Sequence, residues 1–310
     1  MERLLTERSI TLGMSLDNST NRTYSSHLNS YLNFCHLHHF PIEPNSDVLS
    51  FYITYMSQHI HPRSVETYLS GIVTQLEPFF PHVREVRRSR LVVRTLKGAL
   101  RRFASPTKRA SALTCRDLLL VADSLSSPLT YDDSLFLCQL YTGFFGLLRL
   151  GELTWPDSSS TRDYRKLILR HSVQVSESFF RFELQTDKTD QLFEGNSIVI
   201  HKRAMPPDPY ECFLHYLRAR DSLFPLHPHL WLTSTGSPPT RSWFLSKLHR
   251  VLPSPSIGGH SMRAGGATFL AASGIAPAQI QAIGRWRSQT WERYIRSHPT
   301  LLQAFLFPGP

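Results

Sequence analysis

From about Thr23 to Phe103 apolar residues recur at helical spacing. Tyr24, Leu28, Tyr31, Leu32, Phe34 and Cys35 make one face, and the rhythm returns at Leu49–Met56 and Val65–Leu76. Pro41, Pro44 and Pro62 fall in the gaps, where a missing amide donor does least harm. Residues 1–18 are polar and aperiodic and read as a loose tail, which places a helical domain at 19–104. Ser105-Pro106-Thr107-Lys108-Arg109-Ala110-Ser111 has linker composition, so 105–112 is expected to join it to a second domain at 113–310. There the pattern predicts helices at Thr114–Ser124, Ser134–Phe145 and Leu148–Leu153. The period then shortens: Lys166–Val175, Phe179–Leu184 and Ser197–His201 are β-rich runs between polar turns, as in a small antiparallel sheet. Helical spacing resumes at about 208–220, 240–250, 262–272, 277–283 and 289–296. The fold class expected is mainly α with a small antiparallel β-sheet.

Charge sharpens this picture at one place. Arg84–Arg109 holds ten basic residues and one acid, a net +9 in a chain whose total is +10. On a helix Arg87, Arg90, Arg94, Lys97 and Arg101 share a face, while Val92, Leu96, Ala99 and Phe103 recur on the opposite side, fit for burial. A solvated face ordinarily mixes signs to limit self-repulsion. A stripe of cations almost without acids points instead to phosphate contacts and a polyanionic partner.

With 310 residues, 41% apolar and 19% charged, the chain has material for two ordinary domains. Cys35, Cys115, Cys138 and Cys212 lie far apart, without metal-ligand spacing, and read as small buried hydrophobes in a reducing compartment. The N-terminus lacks the apolar core of a secretion signal, and the strongly apolar uncharged run Leu135–Leu148 is too short to span a bilayer. The expectation is an intracellular soluble protein.

Six residues carry candidate chemistry. Arg149 closes the uncharged run, where a guanidinium is costly unless paired. Glu152, three residues on, is placed to orient it, either as a simple helix-end ion pair or to aim its fork at a phosphate. Lys188 sits between two strand-like segments, one of only six lysines against 28 arginines. Lysine, unlike arginine, can serve as a general acid. His260 follows Gly258-Gly259 and opens the helix bearing Arg263. That helix continues Ala264-Gly265-Gly266-Ala267, and two glycines in a helix interior suggest close approach of another backbone or of DNA. Trp286 and Tyr294 would be core aromatics by default, but Arg285, Arg287, Arg293 and Arg296 surround them. A phenol with a pKa near ~10 needs such cations to act as a nucleophile at neutral pH.

Arg149, Lys188, His260-x-x-Arg263, Trp286 and Tyr294, in this order, resemble the tyrosine recombinase (phage-integrase) family. Trp at the fifth position is similar to Cre-type enzymes. Gly284-Arg285-Trp286-Arg287-Ser288 with Arg293-Tyr294-Ile295-Arg296 resembles the Crypton-type recombinases of eukaryotic mobile elements. The similarity spans about residues 20–296. It implies a SAM-like core-binding domain followed by a catalytic domain, acting on double-stranded DNA as a homotetramer. By this resemblance Arg149 and Arg263 bind the scissile phosphate, and Lys188 protonates the leaving 5′ oxygen. His260 assists proton transfer, Trp286 supports the phosphate or the nucleophile, and Tyr294 forms the 3′-phosphotyrosyl bond. The intermediate retains the bond energy, so no metal, cofactor, small-molecule substrate or membrane is implied, and residence would be nuclear. One departure is the eight-residue spacing from Trp286 to Tyr294, where the family more often has about nine.

Two rival functions remain open on the sequence: relaxation of a single duplex in the manner of type IB topoisomerases, and a domesticated element that binds DNA without cutting it. Beyond the tyrosine, Leu301, Leu302, Phe305, Leu306 and Phe307 form an apolar patch suited either to a neighbouring protomer or to the chain's own core.

Overall fold

A computed structural model describes residues 16–103, 110–125, 127–185 and 196–286, with positions 3, 4, 7, 11 and 105 besides. Most of the expected tail over residues 1–18 lies outside the described residues, as do Lys188, the helix expected near 289–296 with Tyr294, and the apolar patch at 301–307. The chain divides into two compact units, residues 1–107 and 108–310.

In the first unit helix α1 (Asn18–Leu37) starts where Asp17 accepts the Ser19 amide, five residues before the hydrophobic rhythm becomes visible. Helix α2 (Ser46–Met56) is capped by Asn45, whose side chain accepts the Val48 amide at 2.9 Å, and α3 (Pro62–Leu76) begins with proline at its first position. These helices close over Tyr31, Phe34, Tyr52, Ile53, Leu69 and Ile72, all buried. Burial pushes the Tyr52 hydroxyl up to about 12. Gly71 lets α1 and α3 approach: a Cβ there would fall 2.5 Å from the His27 ring nitrogen.

The basic segment does not form one helix. It breaks at Ser89, whose extended backbone separates α4 (Val83–Arg88) from α5 (Arg90–Phe103). Arg90, Arg94, Lys97 and Arg101 line the exposed side of α5, while Val92 and Ala99 are buried and Leu96 and Phe103 half-buried. Arg87 is not part of that helix. It sits half-buried on α4, with one guanidinium nitrogen 3.5 Å from the Glu66 carbonyl. The single-face stripe expected over five residues is therefore four residues long, because the serine interrupts the helical repeat.

The second unit is organised around α7 (Tyr131–Phe145), preceded by α6 (Cys115–Asp123) with its Thr114/Asp117 capping box. Every residue of α7 from Ser134 to Phe144 is buried, as suits a helix enclosed on all sides. A short α8 (Leu150–Leu153) follows, then strands β1 (Gln174–Val175), β2 (Phe179–Leu184) and β3 (Asn196–His201) in antiparallel order β1-β2-β3. The β2/β3 register pairs Phe180 with Ile200 and Phe182 with Ile198, so the alternate apolar residues share one face. That face meets α9 (Pro209–Leu223), where Phe180 and Phe213 stack at 3.8 Å.

The segment 166–175 is not the strand its composition suggested. It makes 3₁₀ turns at Tyr164–Lys166 and Arg170–Ser172 and contributes only Gln174–Val175 to the sheet. Its apolar content serves burial of Ile168 and a backbone bridge from Leu169 to His229 instead. Arg170 clamps it to Asp221 at 2.6 Å. Burial alone would raise the Asp221 carboxyl, but hydrogen bonds from Arg170 and from the fully buried Arg220 outweigh it and hold the group below the usual carboxylate range. The remaining helices are α10 (Arg241–Val251), α11 (Ser261–Ala272) and α12 (Pro277–Ile283). Ser111 is already tied to Ser256 by a 2.7 Å backbone hydrogen bond, and Leu113 is buried. No helix among the described residues is long and apolar enough to cross a membrane.

Candidate active site

The site forms where the ends of α7 and α12 meet the starts of α8 and α11. Helix α7 stops with Gly146 as its cap. The next residue, Leu147, takes a left-handed conformation with φ +49°, and the Leu148 amide returns to the Gly143 carbonyl at 2.9 Å. This is a Schellman closure, in which glycine is usual at the left-handed position. The turn buries the Leu147 side chain against Ala267 and Ile280, of α11 and α12. Arg149 then becomes the N-cap of α8 rather than the end of a longer helix.

Glu152 satisfies Arg149 twice. One carboxylate oxygen accepts the Arg149 amide at 2.8 Å and the other accepts Nη1 of its guanidinium at 2.7 Å. The Arg149 side chain keeps 21% of its surface exposed against 8% for Glu152, so the carboxylate lies beneath and the arginine reaches outward. Held at its backbone amide and at one guanidinium nitrogen by the same carboxylate, the side chain is directed rather than freely rotating.

Arg263 is placed by close contact between α11 and α7. A Cβ on Gly266 would lie 1.9 Å from the Phe144 carbonyl oxygen, and one on Gly265 would lie 2.1 Å from that of Leu113. The glycine pair therefore serves approach of protein backbone. One turn earlier, Arg263 donates Nη1 to the Leu147 carbonyl and Nη2 to the Gly284 carbonyl, with its guanidinium carbon 4.4 Å from the Trp286 ring centre. Only 2% of Arg263 is exposed. His260 is the N-cap residue of the same helix and lies exposed at its start.

A third arginine, absent from the sequence-derived set of six, belongs to this cluster. Arg285 follows the cap of α12 and donates Nη2 to Glu152 at 3.0 Å, with a longer 3.5 Å contact to the Leu147 carbonyl. Glu152 thus bridges Arg149 and Arg285, and Leu147 offers its carbonyl to both Arg263 and Arg285. Among the described residues these contacts join three arginines with a single carboxylate, an arrangement suited to an anion. Among the described residues no group of three or more His, Cys, Asp or Glu is placed to hold a metal ion.

Of the six sequence candidates, the structure links Arg149, Arg263 and Trp286 through this network and sets His260 at the start of the helix that carries Arg263. Lys188 and Tyr294 lie outside the described residues. Four of the five stripe residues share one exposed face, and Arg87 does not.

No protein-family model and no curated protein matches the chain by sequence. Solved structures do match. A lambda integrase fragment bound to DNA superposes with a TM-score of 0.60 at 13% identity, covering 94% of this chain and 95% of that one. The Tn1549 transposon integrase in complex with circular intermediate DNA gives 0.53 at 14% identity, over 87% of each chain. The XerH site-specific recombinase in a pre-cleavage complex with its difH substrate gives 0.52 at 11% identity, over 85% of this chain and 70% of that one. Identities this low speak for architecture and leave the chemistry to the residues themselves. By architecture, the chain has the fold of the tyrosine recombinases and integrases.

Proposed function

We propose that this protein cleaves and rejoins double-stranded DNA through a 3′-phosphotyrosyl intermediate on Tyr294, as a site-specific recombinase or integrase. The observation that carries the reading is the cluster in which Arg149 and Arg263 are held through Glu152, Arg285 and Leu147 on a recombinase fold. In the proposed reaction the Tyr294 oxygen bonds to phosphorus and the bond from phosphorus to the 5′ oxygen breaks. Arg149 and Arg263 neutralise the charge that builds on the non-bridging oxygens. His260, exposed at the start of α11, assists transfer of the proton that the Tyr294 phenol gives up, and Lys188 delivers a proton to the departing 5′ oxygen. Attack by a 5′ hydroxyl on the phosphotyrosine reverses these events and rejoins the strand. Trp286 supports the phosphate or the nucleophile.

The domain roles belong to the same proposal. Residues 19–104 act as the core-binding DNA clamp, 105–112 as linker and 113–310 as the catalytic domain. The exposed face of α5 supplies phosphate contacts. Replacing Arg90, Arg94 and Lys97 together with glutamate is expected to flatten the slope of log affinity against log salt by about one per lost phosphate contact. A salt titration of DNA binding by fluorescence anisotropy reads this, and an unchanged slope would make the face solvated surface only. Strand exchange between two duplexes calls for a homotetramer on DNA, and the motif resemblance suggests a mobile-element enzyme acting in the nucleus.

A second reading is favoured by one observation. Both terminal nitrogens of Arg263 already serve backbone carbonyls and Trp286 covers its face, as in a protein that binds DNA without cutting it. The two readings separate on a nicked suicide duplex, which traps a covalent adduct only if cleavage occurs. Recombinant product from two labelled duplexes, against relaxation of one supercoiled plasmid, then separates strand exchange from topoisomerase-like action.

A further inference from the structure

We infer that Arg285 is a positioning residue of this site: acting through Glu152, it sets the orientation of the Arg149 guanidinium. The inference rests on the strand-transfer reading for its kinetic consequence, but its structural basis stands apart from it.

The first observation is backbone geometry. Helix α12 closes by a Schellman motif, with the Trp286 amide bonded to the Gln281 carbonyl at 3.1 Å and the Arg285 amide to the Ala282 carbonyl at 3.0 Å. The left-handed residue of that motif is Arg285, at φ +54°. At the end of α11 the equivalent position is filled by Gly274, at φ +80°, as the sterics prefer. A side chain at such a position is tolerated at a cost, and His39, at φ +57° after α1, shows that the conformation alone marks no site. What distinguishes Arg285 is where its side chain goes.

That side chain is 7% exposed and ends on Glu152, itself 8% exposed. Glu152 is the carboxylate that also holds the Arg149 amide and guanidinium. The oxygen accepting the Arg149 amide is the one that takes Arg285 Nη2, which leaves the other oxygen for the Arg149 fork. Arg285 therefore fixes the rotation of the carboxylate, and the carboxylate fixes Arg149. The contact spans 133 residues of sequence, from the end of α12 to α8. The same arginine offsets the negative charge of Glu152, which would otherwise oppose a phosphate approaching Arg149.

Arg285→Gly is the informative variant, because glycine suits the left-handed backbone and removes only the side chain. Single-turnover cleavage of a suicide duplex is expected to slow by about 10- to 100-fold, the scale for a misdirected catalytic group. DNA affinity is expected to change less than about threefold, and the melting temperature to stay within a few degrees. Adding Glu152→Gln to Arg285→Gly is expected to cost little more, since both act through one carboxylate. Cleavage at the wild-type rate, additive losses, or a loss of affinity matching the loss of rate would each overturn the positioning role. An activity-independent readout keeps the two proposals distinct. The Arg149 Nε–H NMR resonance, assigned by its disappearance in Arg149→Lys, is expected to shift in Arg285→Gly. An unmoved resonance overturns the inference even in a protein that cuts DNA, whereas a shifted one upholds it even if wild type forms no adduct and the strand-transfer reading fails.

Discussion

Arg149→Ala is expected to slow formation of a covalent DNA adduct by roughly 10²–10³, equivalent to about 2.7–4 kcal/mol of lost transition-state stabilisation. The reason is the preorganisation of the fork. Glu152 holds both its amide and its Nη1, and the side chain still keeps a fifth of its surface open toward an incoming anion. Little of the loss should come from unfolding. Removing Arg149 does not orphan Glu152, because Arg285 continues to pair with it at 3.0 Å. The expected stability change is therefore below about 1.5 kcal/mol. Arg149→Lys restores charge but not the planar fork, so its adduct rate should lie between alanine and wild type. Quench-flow cleavage on a suicide duplex, with melting curves for each variant, checks both halves. Adduct formation by Arg149→Ala at the wild-type rate would remove Arg149 from the chemistry.

Gly266→Ala is expected to cost about 3 kcal/mol or more of stability, although alanine favours a helix over glycine by about 1 kcal/mol. The steric effect wins because the obstructing atom is a backbone oxygen. The added methyl would lie 1.9 Å from the Phe144 carbonyl, in a helix buried on every side that cannot shift without disturbing the core of the second unit. Gly98→Ala is the matched control. It sits inside α5 with nothing within 4 Å of the methyl that alanine would add, so only the propensity gain of about 1 kcal/mol remains. Thermal unfolding should move in opposite directions for the two variants. A Gly266→Ala protein as stable as wild type would mean that α11 and α7 do not pack as described, and Arg263 would lose the support that places it.

These residues also show what could be read from sequence. Phe179–Leu184 was legible as a strand because its alternation is local and its buried face is uninterrupted. The small residues after Arg263 announced a close approach, and the structure supplies its partner, the carbonyls of Phe144 and Leu113. The pairing of Arg149 with Glu152 lies within one turn and was equally visible. The segment 166–175 was not, because its apolar residues satisfy long-range burial while Arg170 and Asp221, 51 residues apart, bend the backbone away from the sheet. Nor was the break at Ser89, since the apolar rhythm continues across it and only the serine backbone marks the division. Arg285 looked like one cation among several around the aromatic pair. No local signal says that it occupies a glycine position, or that its side chain crosses to a carboxylate 133 residues away. Positions decided by distant partners are those that a linear pattern leaves open.

If Tyr294 becomes joined to DNA at a phosphate held by Arg149 and Arg263, the joined species can be isolated. The protein is incubated with a radiolabelled suicide duplex carrying the cognate site, and the products are separated under denaturing conditions. The expected result is a labelled band at the mass of protein plus DNA strand that resists boiling, maps by mass spectrometry to Tyr294, and vanishes in Tyr294→Phe while duplex binding persists. Equal adduct from Tyr294→Phe, or bound and uncleaved DNA from wild type, would contradict it.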